Sequence, residues 1–200
     1  MHFAFCILNF VQLYPVFLKL SGRPVLLVGG GAVAAAKLDG LLAAGALVTV
    51  VAPEINASIE ARPGVTFLRR RFKPADLEGA WWVVAAAPPD VNRQVQAAAE
   101  SRQLFVNAVD DPAHATAYLG GVVRRDDVTI AISTSGRAPA LAGLLREGLD
   151  AWLPQDIDRW MQTADQARAF WKEAAVPMER RRPMLLEALN RLYESKKHDG

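Results

Sequence analysis

Three consecutive glycines, Gly29-Gly30-Gly31, separate a wholly apolar run, Val25–Val28, from an alanine-rich stretch beginning at Ala32. The spacing G-x-G-x-x-A, closed by Ala34, is that of a strand, a tight turn and a helix that together hold a dinucleotide. The first glycine permits the turn, the second lets a diphosphate come against bare backbone, and Ala34 lets the helix lie close to the sheet. The first helical turn, at Ala32 and Val33, then offers unpaired N–H groups and the positive end of the helix dipole to the phosphates. A second cluster ends the apolar run Leu104–Val109 with Asp110 and Asp111. A carboxylate delivered to a strand end can serve as a general base; a solvated Asp-Asp-Pro turn is the plain alternative. His114 follows closely and could act as acid, base or metal ligand. With only three histidines in the chain, a His-rich metal site is excluded. A third polar cluster is Ser133-Thr134-Ser135-Gly136-Arg137, which opens a helix. It could hold an anion, Arg137 adding charge, or serve only as a capping loop. Arg124 and Arg125 become clamps if the substrate carries many carboxylates.

These residues need a scaffold. The apolar runs Val25–Val28, Leu47–Val51, Val65–Leu68, Trp81–Ala87 and Leu104–Val109 read as buried parallel strands. Helices fill two gaps, Ala32–Ala44 and Val91–Arg102, the first with Leu38, Leu41 and Leu42 on its inner stripe and Gly45 as its C-cap, the second capped by Asp90. The sum is an α/β fold, a Rossmann-type doubly wound parallel sheet, in which ligands sit beyond the carboxyl ends of the strands. Gly29, Pro53, Ala87 and Asp110 all fall on that edge. Glu54 comes a few residues after the place where an acid would hold the ribose of NAD, and no arginine follows directly; NAD is favoured over NADP. Tyr14–Leu20 is expected to cross the sheet edge. After Asp111 the pattern changes to Tyr118–Val123 and Val128–Ser133, a β-hairpin joined by a turn at residues 124–127 and suited to dimerisation. Helices over Ala140–Leu153, Asp156–Ala174 and Arg182–Lys197 complete a C-terminal helical region. The organisation expected is 1–111 for the nucleotide, 112–153 for dimerisation and substrate, and 154–200 helical.

Composition narrows the classes. At 52% hydrophobic and 22% charged, the 200 residues can bury a real core. A net charge of +2 makes no electrostatic case for nucleic acid. The one cysteine, Cys6, excludes an intrachain disulfide or a Cys-based metal cluster and fits a reducing cytoplasm. The apolar start, MHFAFCILNFVQLYP, lacks a basic region and a cleavage site, and is too short to span a bilayer; it reads as a buried or dimer-covered leader, with no membrane partner. No Cys-His or Ser-His-Asp arrangement supports nucleophilic catalysis.

Four stretches in register, YPVFLKLSGRPVLLVGGGAVAAAK (14–37), AGALVTVVAPE (44–54), FVNAVDDP (105–112) and ISTSGRAPALAGLLREGLDAWLP (132–154), resemble the precorrin-2 dehydrogenase / sirohydrochlorin ferrochelatase family, the N-terminal module of siroheme synthases. The resemblance implies that NAD accepts hydride from precorrin-2, a tetrapyrrole, to give sirohydrochlorin; some members also insert ferrous iron. It implies a cytoplasmic homodimer with intertwined second domains. Asp110, in Asn107-Ala108-Val109-Asp110, matches the family's catalytic aspartate. Gly29, Gly30, Gly31, Ala32 and Val33 then meet the diphosphate, Pro53 and Glu54 the adenosine side, and Ala87 the cofactor edge. His114, Arg124, Ser133, Thr134, Ser135 and Arg137 fall to the carboxylate-rich macrocycle. The chain departs from the pattern at Leu119-Gly120-Gly121, Ala36 and Pro88-Pro89, the first of these bearing on iron insertion. A reading from another class is a non-catalytic NAD-sensing module, which would bind NAD without needing Asp110.

Overall fold

The computed structural model describes residues 12–109, 111 and 115–194, which pack as two units: residues up to Leu119 with Ser135–Arg137, and Gly120–Thr134 with the chain from Ala138 onward. The first unit is built on β1 (Pro24–Val28), β2 (Leu47–Val51), β3 (Thr66–Leu68), β4 (Trp82–Ala85) and β5 (Val106–Ala108). All are parallel, in the order β3-β2-β1-β4-β5. Side chains alternate between the two faces. Val25 and Leu27 point into one core with Val48, Val50 and Val84, while Leu26 and Val28 point into the other with Val83 and Ala85. Both faces being covered, the central strands are apolar throughout rather than alternating.

Helix α1 (Ala32–Ala43) covers the first face through Ala34, Leu38 and Leu41, with Leu42 half-buried. It ends as expected at Gly45: the N–H of Gly45 donates to Leu42 and that of Ala46 to Leu41, with Gly45 at φ +73°. α2 (Ala57–Glu60) is a single turn seated by buried Ile59, and a 3₁₀ turn, Pro74–Leu77, seats Leu77 on the opposite face. Neither was expected. α3 (Pro89–Glu100) covers the second face; it begins before Asp90, which lies in the first turn and is not the cap. Of Tyr14–Leu20, expected to cross the sheet edge, only Leu20 enters the core, and Tyr14 is 88% and Phe17 72% exposed; Leu18 and Leu20 line a cavity with Trp81, Trp82 and Phe105 near the start of β4 and β5.

The segment after β5 belongs to the first unit because it is tied to that strand. The amides of Thr116 and Ala117 donate to the Val106 carbonyl at 2.9 Å, and the Val106 amide donates to the Thr116 hydroxyl at 2.8 Å. The boundary therefore falls after residue 119 rather than at 111. In the second unit β6 (Gly121–Arg125) and β7 (Val128–Ile132) form an antiparallel hairpin. Its turn is Asp126-Asp127, with Asp126 at φ +49°, so Arg124 and Arg125 lie in the strand and not in the turn. α4 (Pro139–Trp152) packs on the hairpin, and α5 (Ile157–Glu173) and α6 (Met178–Glu194) pair through a 2.6 Å bond from Trp160 Nε1 to the Tyr193 hydroxyl. α6 starts before the expected Arg182 and carries Pro183 inside it. Val123, Leu153 and Ile157 share one small core, so no boundary falls at 154.

Candidate dinucleotide-binding edge

Because the strands are in register, their carboxyl ends stop together: Val28 lies opposite Val51 and Ala85, Val51 opposite Leu68, and Ala85 opposite Ala108. The chain leaves each strand at this edge, bringing Gly29–Gly31, Pro53-Glu54, Ala86-Ala87 and Val109 to one side of the sheet. The glycines divide the work differently from the expectation. A Cβ on Gly29, at φ +130°, would meet the Ala86 carbonyl oxygen at 2.2 Å, and one on Gly30 the Glu54 carbonyl oxygen at 2.0 Å. The second glycine is thus required by the neighbouring strand end, which also donates the Asn56 amide to the Gly30 carbonyl at 2.8 Å. Gly31 alone has open space, nothing lying within 4 Å of its absent Cβ.

That open position is the N-cap of α1, and no side chain caps it. First-turn amides at Ala32 and Val33, both exposed, therefore face outward beside bare backbone. A diphosphate fits this arrangement: it supplies the missing acceptors and the charge that the helix dipole favours. Pro53 and Glu54 are exposed at the adjoining edge. Ala87 is half-buried, and its amide is already taken by Asn92 Oδ1 at 3.0 Å.

The β5 side carries the remaining polar groups. Asn107 is 6% exposed, and its Nδ2 donates to the Ala117 carbonyl at 3.0 Å. Its Oδ1 is buried without a partner among the described residues. Such an acceptor costs about 1–3 kcal/mol and is the kind of unsatisfied group that functional sites carry. Asn107 and the Val106 backbone thus tie β5 to Thr116-Ala117. Asp111 is half-buried. Asp110 and His114 lie outside the described residues.

Residues 16–121 match a family described as "Putative NAD(P)-binding". Among solved structures, the chain is similar to "SirC, precorrin-2 dehydrogenase", with TM-score 0.70 and 30% identity over 88% of each chain. The chain belongs to the precorrin-2 dehydrogenase family. Curated relatives agree: the siroheme synthase of Photorhabdus laumondii is 39% identical over 180 residues, and siroheme synthase 3 of Aeromonas hydrophila 41% over 172. The chain covers 38% and 37% of those two proteins, so it spans a little over a third of their length.

Within this family's fold the expected substrate residues divide between the two units. Arg124, Ser133 and Thr134 belong to the second, Ser135 and Arg137 to the first. Arg124 is exposed on β6, whereas its neighbour Arg125 is committed to structure. Arg125 donates to the carbonyls of Asp150, Leu153 and Pro154 and pairs with the Asp150 carboxylate at 2.8 Å, satisfying the carboxyl end of α4. Thr134 Oγ1 accepts from the Ala138 amide at 3.4 Å, just ahead of α4, and Ser135 adopts φ +54°. Sequence reasoning missed Asn92 and Thr116, whose partners lie on other elements. It also missed two ion pairs at the β3 end: Arg70 on Asp76, at 2.6 and 2.8 Å, and Arg69 on Glu60. Arg70's hydrogen bonds hold the Asp76 carboxyl below the usual carboxylate range. Among the described residues no helix is long and apolar enough to cross a membrane.

Proposed function

We propose that this chain is an NAD-dependent dehydrogenase that converts precorrin-2 to sirohydrochlorin, working in the cytoplasm as a homodimer. The observation that carries the reading is the likeness to a precorrin-2 dehydrogenase over 88% of both chains, with the glycine edge intact. The reaction removes a hydride and a proton from the macrocycle, and NAD when bound supplies the hydride acceptor. Gly31 and the first turn of α1 hold the diphosphate; Pro53 and Glu54 border the adenosine. Asp110 takes the proton as general base, and Asn107 and Thr116 fix the strand end from which its loop departs. Arg124, Arg137, His114 and the hydroxyls of Ser133, Thr134 and Ser135 receive the substrate's carboxylates.

The test is to supply enzymatically made precorrin-2 with NAD and follow both the macrocycle spectrum and NADH. One NADH for each sirohydrochlorin supports the reading; binding of NAD with no change in the macrocycle contradicts it. Adding ferrous iron to the finished reaction separately asks whether siroheme forms, the second step that the family resemblance implies.

A further inference from the structure

The ends of β2 and β3 run side by side. Val51 pairs with Leu68, and the Ala52 amide donates to the Leu68 carbonyl at 3.2 Å. The chain continues as Pro53-Glu54 from one strand and as Arg69-Arg70-Arg71 from the other. In a dinucleotide-binding βαβ unit the end of the second strand borders the adenosine ribose. An acid there holds the 2′-hydroxyl of NAD, and an arginine nearby accepts the 2′-phosphate of NADP. Here the strand tip is Ala52, while arginines, the groups that would welcome a phosphate, follow directly on the end of the adjoining strand.

Two of these guanidiniums are already engaged, in unlike ways. Arg70 grips Asp76 with two hydrogen bonds of 2.6 and 2.8 Å, and that carboxylate is 5% exposed and also accepts the Lys73 amide. This pair is fixed. Arg69 instead meets Glu60, the last residue of α2, with the two side chains 55% and 38% exposed. An exposed pair of this kind is worth little by itself, so a doubly charged phosphate can compete for Arg69 unless the Glu60 carboxylate opposes it.

We propose that Glu60 is a cofactor-specificity residue, which selects NAD over NADP by occupying Arg69 and holding a negative charge beside the β2–β3 end. The proposal rests on the cofactor reading above and names what sets its preference. A purely structural pair would change stability when broken, but not the ratio of the two affinities.

The experiment is calorimetric titration of NAD and of NADP into wild type, Glu60→Gln, Arg69→Ala and the double variant, each with a thermal melt. Wild type should favour NAD. Glu60→Gln should tighten NADP about tenfold while moving NAD by less than about twofold, and the gain should shrink as salt rises. Adding Arg69→Ala should remove the gain. An unchanged affinity ratio in Glu60→Gln overturns the proposal while NAD binding stands, and so does a gain that survives Arg69→Ala. If wild type binds neither nucleotide, the cofactor reading falls and takes the proposal with it.

Discussion

The parallel-sheet unit and the hairpin–helix unit bury their apolar residues to very different depths. In the first, both sheet faces are covered, and Leu27, Leu38, Val50, Val83, Val84 and Val95 are essentially inaccessible. In the second, the shared core reduces to Val123, Leu153 and Ile157 with half-buried neighbours. Leu141, Leu145 and Trp152 of α4, spaced so as to share one helical stripe, stay exposed with Leu144 beside them, Trp152 at 70% and Leu144 at 66%. The first unit also leaves large apolar side chains in solvent, Tyr14, Phe17, Trp81 and Phe105 among them, but these lie outside its helices, whereas those of α4 line up on one helical stripe. The contrast suits the division of labour: a rigid edge for the cofactor, and an apolar stripe for the homodimer proposed above.

The largest losses of stability are expected in the sheet. Leu27→Ala should cost about 3–4 kcal/mol, because a fully buried side chain leaves a cavity between packed layers; chemical denaturation reads this directly. Gly30→Ala should cost about 3 kcal/mol, since its methyl has no room against a backbone carbonyl. Gly31→Ala, facing open space, should keep the melting temperature while weakening NAD at least about tenfold. A Gly31→Ala protein that binds NAD normally would show that the diphosphate lies elsewhere.

Smaller effects sharpen the contrast. Asp76→Asn should cost about 1–2 kcal/mol by weakening charged hydrogen bonds. Because the folded carboxyl lies below its unfolded value, this stabilisation is whole at neutral pH and starts to be lost below about pH 4. It is gone once the pH passes under the folded value. Wild-type stability should therefore fall more steeply with acid than that of Asp76→Asn, as melts across the acid range would record. On α4, Leu144→Asp should change the monomer's stability by less than about 0.5 kcal/mol yet abolish dimers in sedimentation. If the variant unfolds instead, Leu144 is core and the contrast between the units is mistaken.

Much of the first unit could be read from the residues because its signals are local. Continuous apolar runs bounded by glycine and proline mark β1, β2, β4 and β5, and their shared parallel direction places the strand ends on one edge. What escaped depends on partners distant in sequence. The role of Gly30 is set by the Glu54 carbonyl from another strand, and the Arg69–Glu60 pair joins residues whose spacing carries no periodicity. α2 is too short to show a helical period. The hairpin turn was expected at 124–127 because Arg124 and Arg125 are polar, but one of them extends to the end of α4 and the other stays in solvent. The aspartates that follow, tolerant of a left-handed backbone, make the turn.

The most direct test of the central claim is NADH formation from precorrin-2 by wild type and by Asp110→Ala, with NAD affinity and melting measured alongside. The account predicts turnover by wild type and a loss of about 10²–10⁴-fold in the variant, with fold and NAD binding unchanged. Wild type that binds NAD but leaves precorrin-2 untouched would contradict it in favour of a nucleotide-sensing module, and a variant as fast as wild type would remove Asp110 from the chemistry.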